Sequence, residues 1–152
     1  WPRIVPELFE ARPDGTPSLS WRGARLRRYR DHVWADNGTQ STSDYEFFWD
    51  GSEPLPLPNL DKPLAFDPPL APGCHQFVVR NRRGGEKMVR NQHHQSLKKC
   101  FHSLAIPPWQ REQLPLLFSN EGALLSLAGR YNSDRFTAWL HDQSLQLLPL
   151  LD

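Results

Sequence analysis

The 152-residue chain lacks most of the features that announce a common activity. No apolar run approaches the ~20 residues needed to span a bilayer, and no charged start leads into an apolar stretch, so neither a membrane helix nor a signal peptide is read. There is no P-loop and no GxGxxG, which excludes the usual phosphate-cradling turns. No Cys-x-x-Cys or His-x-x-x-His pair is present, so no standard zinc spacing exists. Cysteines number only two, Cys74 and Cys100. Without secretory features they predict free thiols in a reducing, cytoplasmic setting, with one structural disulfide as the alternative. The formal net charge is only +1, which by itself predicts no nucleic-acid partner. The chain starts at Trp1 rather than methionine, and we expect a fragment of a longer protein.

What is present is proline, 15 residues of it, which argues for short elements joined by stiff turns. Charge is also unevenly spread. Glu46 to Pro72 holds Glu46, Asp50, Glu53, Asp61 and Asp67 against a single base, Lys62. Gly73 to Gln113 reverses this. Arg80, Arg82, Arg83, Lys87, Arg90, Lys98, Lys99 and Arg111 face only Glu86 and Glu112, and four of the six histidines lie there. A second basic cluster is Arg22, Arg25, Arg27, Arg28 and Arg30. Such concentration suits a phosphate backbone, although a solvated face is the more common outcome.

Periodicity gives a coarse map. Residues 1 to 17 read as a Pro-rich tail. Ser18 to Ala35 reads as short strands with a turn at Gly23, followed by a polar linker from Gly38 to Asp44. The prolines between Glu46 and Pro72 predict extended segments wrapped over a core, with a polyproline ligand as the alternative for 55 to 58. Phe47, Phe48 and Trp49 offer a sticky patch for a protein partner. Gln76 to Arg80 predicts a strand with Phe77 and Val79 on one face, followed by a basic turn around Gly84 and Gly85. Leu97, Phe101 and Leu104 predict a helix over Gln92 to Leu104, capped by Asn91, with Lys98, Lys99 and His102 outward. Pro108 opens a one-turn helix to Gln113. Leu116–Phe118 and Ala123–Leu127 predict a hairpin, and Phe136–Trp139 a last strand.

Chemistry is thin. His93, His94, Cys100 and His102, with Cys74 and His75, raise a zinc site, but neighbours on a helix point apart. Cys100 lies beside the inward face, where a thiol is usually inert packing. Carboxylates show no paired arrangement for acid–base work. Catalytic and metal residues are therefore assigned to none. Gly84 and Gly85 let backbone approach a ligand, and amides at the helix start add to phosphate binding. Trp109 reads as a core plug held by Pro107 and Pro108, with base stacking as the alternative.

Gly84-Gly85, Ser96-Leu97-Lys98-Lys99, Ile106-Pro107-Pro108-Trp109-Gln110-Arg111, Leu114-Pro115-Leu116-Leu117-Phe118 and Ala128-Gly129 together resemble the C-terminal domain of bacterial tRNA(Ile)-lysidine synthetases. Leu19 to Tyr29 resembles that family's strand pair more weakly. The resemblance implies an α+β fold. A small β-sandwich-like domain carries one main helix and a one-turn helix packed on its sheet, preceded by a short β-meander. It implies residues 1–45 as the end of a middle substrate-binding region and 46–152 as a C-terminal tRNA-binding domain. The whole enzyme is expected to join lysine to the wobble cytidine of a tRNA(Ile) with a CAU anticodon. ATP and Mg belong to a catalytic N-terminal domain whose Ser-Gly-Gly-x-Asp-Ser loop is absent here, so the fragment alone is expected to be inactive. Partners are then tRNA and the rest of the polypeptide, with no membrane, and a homodimer is left open. The RNA-binding residues expected are Arg80, Arg82, Arg83, Lys87, Arg90, Lys98, Lys99 and Arg111. One departure is Glu86 to Gln95, which separates the glycine pair from the helix and implies either a longer loop or an earlier helix start. The rival reading is a protein-interaction or structural module with no RNA contact.

Overall fold

The computed structural model describes residues 15, 17–21, 23–36, 44–58 and 60–150. The tail to residue 14, Arg22 and the linker from 37 to 43 lie outside these residues. The chain divides into two compact units, residues 1–41 and 42–152.

The first unit is the expected meander. Strands β1 (Ser18–Trp21), β2 (Ala24–Tyr29) and β3 (His32–Asp36) pair antiparallel in that order. Gly23 turns the first hairpin at φ 81°, a conformation that glycine adopts freely. Because strand side chains alternate, Arg25 and Arg27 share one face of β2 while Arg28 falls on the other. The second basic cluster is thus divided between two faces.

The second unit is built on a five-stranded antiparallel sheet. Its strands are β4 (Glu46–Trp49), β6 (Phe77–Arg80), β9 (Leu116–Ser119), β10 (Leu124–Leu127) and β11 (Tyr131–Asn132), in the order β11-β10-β9-β6-β4. Both faces are covered, so β10 is buried at every position and β9 at all but Ser119. Their unbroken apolar runs follow from that double burial. On one face Trp49, Phe77, Val79, Leu117 and Leu125 pack against Phe136, Leu140 and the Pro-rich segment. On the other, Leu116, Phe118, Leu124 and Leu127 pack against Met88, Leu97, Cys100 and Phe101.

The Pro-rich segment is packing. Leu55 bridges Leu64, and Leu57, Leu64 and Leu70 are buried. Short strand β5 (Phe66–Asp67) pairs with β12 (Gln146–Leu147). The aromatic patch at 47–49 is mostly consumed, since Trp49 is buried, Phe47 is half-buried, and only Phe48 remains exposed.

Three elements differ from expectation. Gln92 to Ser96 is not helical. Strands β7 (Lys87–Arg90) and β8 (His93–Ser96) form a hairpin whose two turn residues, Asn91 and Gln92, take φ of 53° and 64°. A two-residue turn with both φ positive matches the twist of paired strands, and asparagine tolerates it well. Both turn amides donate to the Asp134 carboxylate, at 3.0 and 2.9 Å. The separating segment is therefore a hairpin rather than a loose loop or an extended helix. Helix α1 (Leu97–Ser103) starts later, with the Ser96 hydroxyl rather than Asn91 as its cap. The second difference is Phe136–Trp139. It lies in helix α3 (Asp134–Asp142), capped by Ser133 Oγ, with Phe136 and Leu140 buried four residues apart. Helices α1 and α3 thus cover opposite faces of the sheet, while one-turn helix α2 (Pro108–Arg111) buries none of its own residues. The third is Trp109, which is half-buried on α2 and belongs to neither core.

Candidate RNA-docking surface

The loop from Asn81 to Glu86 is organised by one carboxylate. Glu86 accepts from the backbone amides of Arg83 and Gly84, at 2.5 and 2.9 Å, and pairs with Arg80 Nη1 at 3.0 Å. Gly84 and Gly85 sit at φ 107° and 77°, yet an added Cβ on either would meet nothing within 4 Å. The glycines serve the turn, and the amides of Arg83 and Gly84 are already spent on Glu86. They are not offered to an external phosphate, contrary to the sequence reading. At α1, likewise, Leu97 N–H donates to Glu86 O and Lys99 N–H to Ser96 Oγ.

Partial burial pushes the Glu86 carboxyl up, but the amide donors and Arg80 outweigh it and hold the group below its ordinary value of 4.5. A depressed folded-state pKa adds stability that is complete above the ordinary range and disappears as pH falls through the folded value. Thermal melting of the chain is therefore expected to drop on acidification below about pH 5, and less steeply in Glu86→Gln. Equal slopes for the two proteins would show that Glu86 does not organise this loop.

The eight expected basic residues fall into three groups. Arg80 is committed internally. It pairs with Glu86, donates to Asn81 O and lies 4.2 Å from the centre of the Phe118 ring. Arg83 reaches Glu46 at 3.7 Å. A second group surrounds α1. Lys98, Lys99 and His102 are exposed on it while Leu97, Cys100 and Phe101 face the core. Lys87 is exposed on β7 and pairs with Ser96, the residue that caps α1. Arg82 and Arg111 both cover Phe101, at 5.4 and 5.5 Å from the ring centre. Arg111 is aimed by its Nε donating to Ile106 O at 2.9 Å, and Arg82 by Glu112 at 3.5 Å. The Ile-Pro-Pro-Trp-Gln-Arg turn thus delivers Arg111 to the same ring that α1 supplies. The third group is Arg90 alone, at the far end of the hairpin, stacked 3.7 Å from the Tyr131 ring centre.

The surface around α1 can hold polyanion phosphates by charge, with the Arg82 and Arg111 guanidiniums beside the exposed ammonium groups of Lys87, Lys98 and Lys99. Other chemistry is not assembled. His93 and His94 project to opposite faces of β8. Among the described residues no three His, Cys, Asp or Glu side chains converge as a metal would need. Cys100 is buried, and burial pushes its thiol pKa up, away from a reactive thiolate. No helix among the described residues is long and apolar enough to cross a membrane. Sequence reasoning missed Arg130 and His141, which share a cleft with Arg90. No local pattern marks them, because folding alone brings them to the hairpin.

Residues 77–148 match the model of the TilS substrate C-terminal domain, and residues 1–34 that of the TilS substrate binding domain. The tRNA(Ile)-lysidine synthase of Xanthomonas axonopodis pv. citri (strain 306) is 33% identical over 145 residues, which cover 93% of this chain and 32% of that protein. The tRNA(Ile)-lysidine synthase of Legionella pneumophila (strain Lens) is 30% identical over 139 residues, covering 88% and 32%. The chain thus spans about a third of the length of these relatives. A solved structure described as the crystal structure of a TILS C-terminal domain shares the fold, with a TM-score of 0.50 at 23% identity, over 60% of this chain and 83% of that one. The chain belongs to the tRNA(Ile)-lysidine synthase family, in which it corresponds to the substrate-binding and C-terminal domains.

Proposed function

We propose that this chain grips tRNA for a lysidine-forming ligase, contacting phosphate and ribose rather than reading bases. The observation that carries this is the α1 surface, where Lys98, Lys99 and Lys87 are exposed beside the Arg82–Phe101–Arg111 cluster. A-form RNA hides its base edges in a deep, narrow groove, so such a surface meets backbone. The substrate is a tRNA(Ile) with a CAU anticodon, held on its acceptor-stem side. ATP, magnesium and the ligation of lysine to the wobble cytidine belong to a catalytic domain of the same cytoplasmic polypeptide.

The test is binding of a tRNA(Ile) transcript across a salt series. Wild type should bind with a steep fall of affinity as salt rises. Lys98→Glu with Lys99→Glu should weaken binding about tenfold at low salt and reduce the slope of log affinity against log salt by roughly 1.4 to 1.8. Melting temperature should not change, since both side chains are exposed. Unaltered binding by the double variant would remove α1 as the contact.

A further inference from the structure

We propose a second RNA-phosphate site on this domain, in the cleft between the β7–β8 hairpin tip and helix α3. The inference rests on the docking reading but concerns a different set of residues.

The cleft has a volume of about 590 Å³ and is lined by Arg90, Asn91, Arg130, Asn132, Thr137 and His141. Asp134 also contributes. Its walls are held in place from several sides. Tyr131 donates its hydroxyl to Gln95 Oε1 at 3.0 Å, and the Arg90 guanidinium lies on the Tyr131 ring. Asp134 accepts the amides of Asn91 and Gln92, which ties the hairpin tip to the start of α3. These amide donors hold the Asp134 carboxyl below its ordinary value, so it is ionised at neutral pH.

The charge balance separates this cleft from the loop at Gly84. Arg80, Arg82 and Arg83 each have a carboxylate partner, at 3.0, 3.5 and 3.7 Å. Among the described residues Arg90 and Arg130 form no ion pair with a carboxylate. Arg130 is exposed on the turn between Leu127 and Tyr131, with its backbone fixed by Arg130 N–H donating to Leu127 O at 3.0 Å. The one acid present, Asp134, has both oxygens engaged by amides and stays ionised beside Arg90, which leaves Arg130 as the uncompensated cation of the cleft. The cleft therefore offers two guanidiniums, an imidazole and two carboxamides to a ligand, the Thr137 hydroxyl being spent on Ser133 O at 2.8 Å. That donor set fits a phosphodiester oxygen pair better than a peptide side chain, and the planar guanidinium fork matches phosphate geometry.

The experiment compares the chain, Arg130→Glu and Arg130→Lys for binding of the same tRNA(Ile) transcript, beside the Lys98→Glu, Lys99→Glu double variant. Amide NMR spectra are recorded with RNA or with inorganic phosphate alone. Arg130 is exposed, so all variants should melt with the wild type. Arg130→Glu should weaken binding about fivefold and lower the salt slope by roughly 0.7 to 0.9, with Arg130→Lys keeping most of the affinity. Asn91 and Asn132 signals should move with RNA. If Arg130→Glu binds as wild type while the lysine variant is weakened, the cleft is overturned and the docking reading stands. Shifts with inorganic phosphate alone, without loss of RNA affinity in Arg130→Glu, would make the cleft a free-anion site and overturn the proposal. If wild type binds no tRNA, both readings fall.

Discussion

Phe101→Ala is expected to lower the unfolding free energy by about 3 to 5 kcal/mol, the usual cost of a cavity left by a large buried ring. Phe101 is fully buried at the centre of the core formed by α1, the hairpin and one sheet face. Loss on this scale is a large fraction of the ~5–15 kcal/mol by which domains are stable. A second consequence is functional. Arg82 and Arg111 both lie over this ring, and without it neither has a platform. Under conditions where the variant is still folded, tRNA affinity should fall as well. Urea unfolding followed by tryptophan fluorescence measures the first effect, and salt-series binding the second. A midpoint shift equivalent to less than about 1 kcal/mol would mean that the ring is not the keystone of this core.

Gly129→Ala is expected to be nearly as damaging, for a backbone reason. Gly129 has φ 69°, and an added Cβ would lie 2.7 Å from Leu148 O and 3.2 Å from Pro149 Cα. Those neighbours are main chain and cannot rotate aside. The left-handed conformation costs a non-glycine residue about 1–2 kcal/mol, and overpacking adds about 1–3 kcal/mol. The C-terminal segment would be pushed away, breaking the bond from Leu150 N–H to Ala128 O at 3.0 Å. Gly84→Ala is the control, because Gly84 also has positive φ but open space around it. Denaturant melts should rank Gly129→Ala well below Gly84→Ala. Equal losses would show that the close approach of Leu148 carries no weight.

The Ala128-Gly129 pair thus has a physical reason that the motif alone did not reveal. In sequence it marks the end of a strand. In the fold it is a tight turn on which the last residues of the domain rest. The Ile-Pro-Pro-Trp-Gln-Arg block is similar. Its prolines and one-turn helix were readable, and Arg111 was picked as a contact, but the ring it covers was not.

Short-range rules determined much on their own. Alternation placed the β1–β3 meander and put Phe77 and Val79 on one face, while two apolar runs around Asn120-Glu121-Gly122 marked the β9–β10 hairpin. Proline spacing marked α2 and excluded long helices between 46 and 72. Spacing of four between Leu97 and Phe101 oriented α1 and turned Lys98 and Lys99 outward. Tertiary structure decided the rest. Gln92 to Ser96 has no apolar repeat of its own, so its pairing with Lys87–Arg90 depends on Met88 entering the core and on Asp134 holding the turn. Phe136 to Trp139 looked strand-like because four residues cannot separate a period of 2 from one of 3.6, and the Ser133 cap tipped the balance to helix. Which arginines are neutralised was equally out of reach, since ion pairs such as Arg83–Glu46 and contacts such as Arg90–Tyr131 join residues far apart in the chain. Local composition concentrates charge, but only the fold decides which charges remain for a partner.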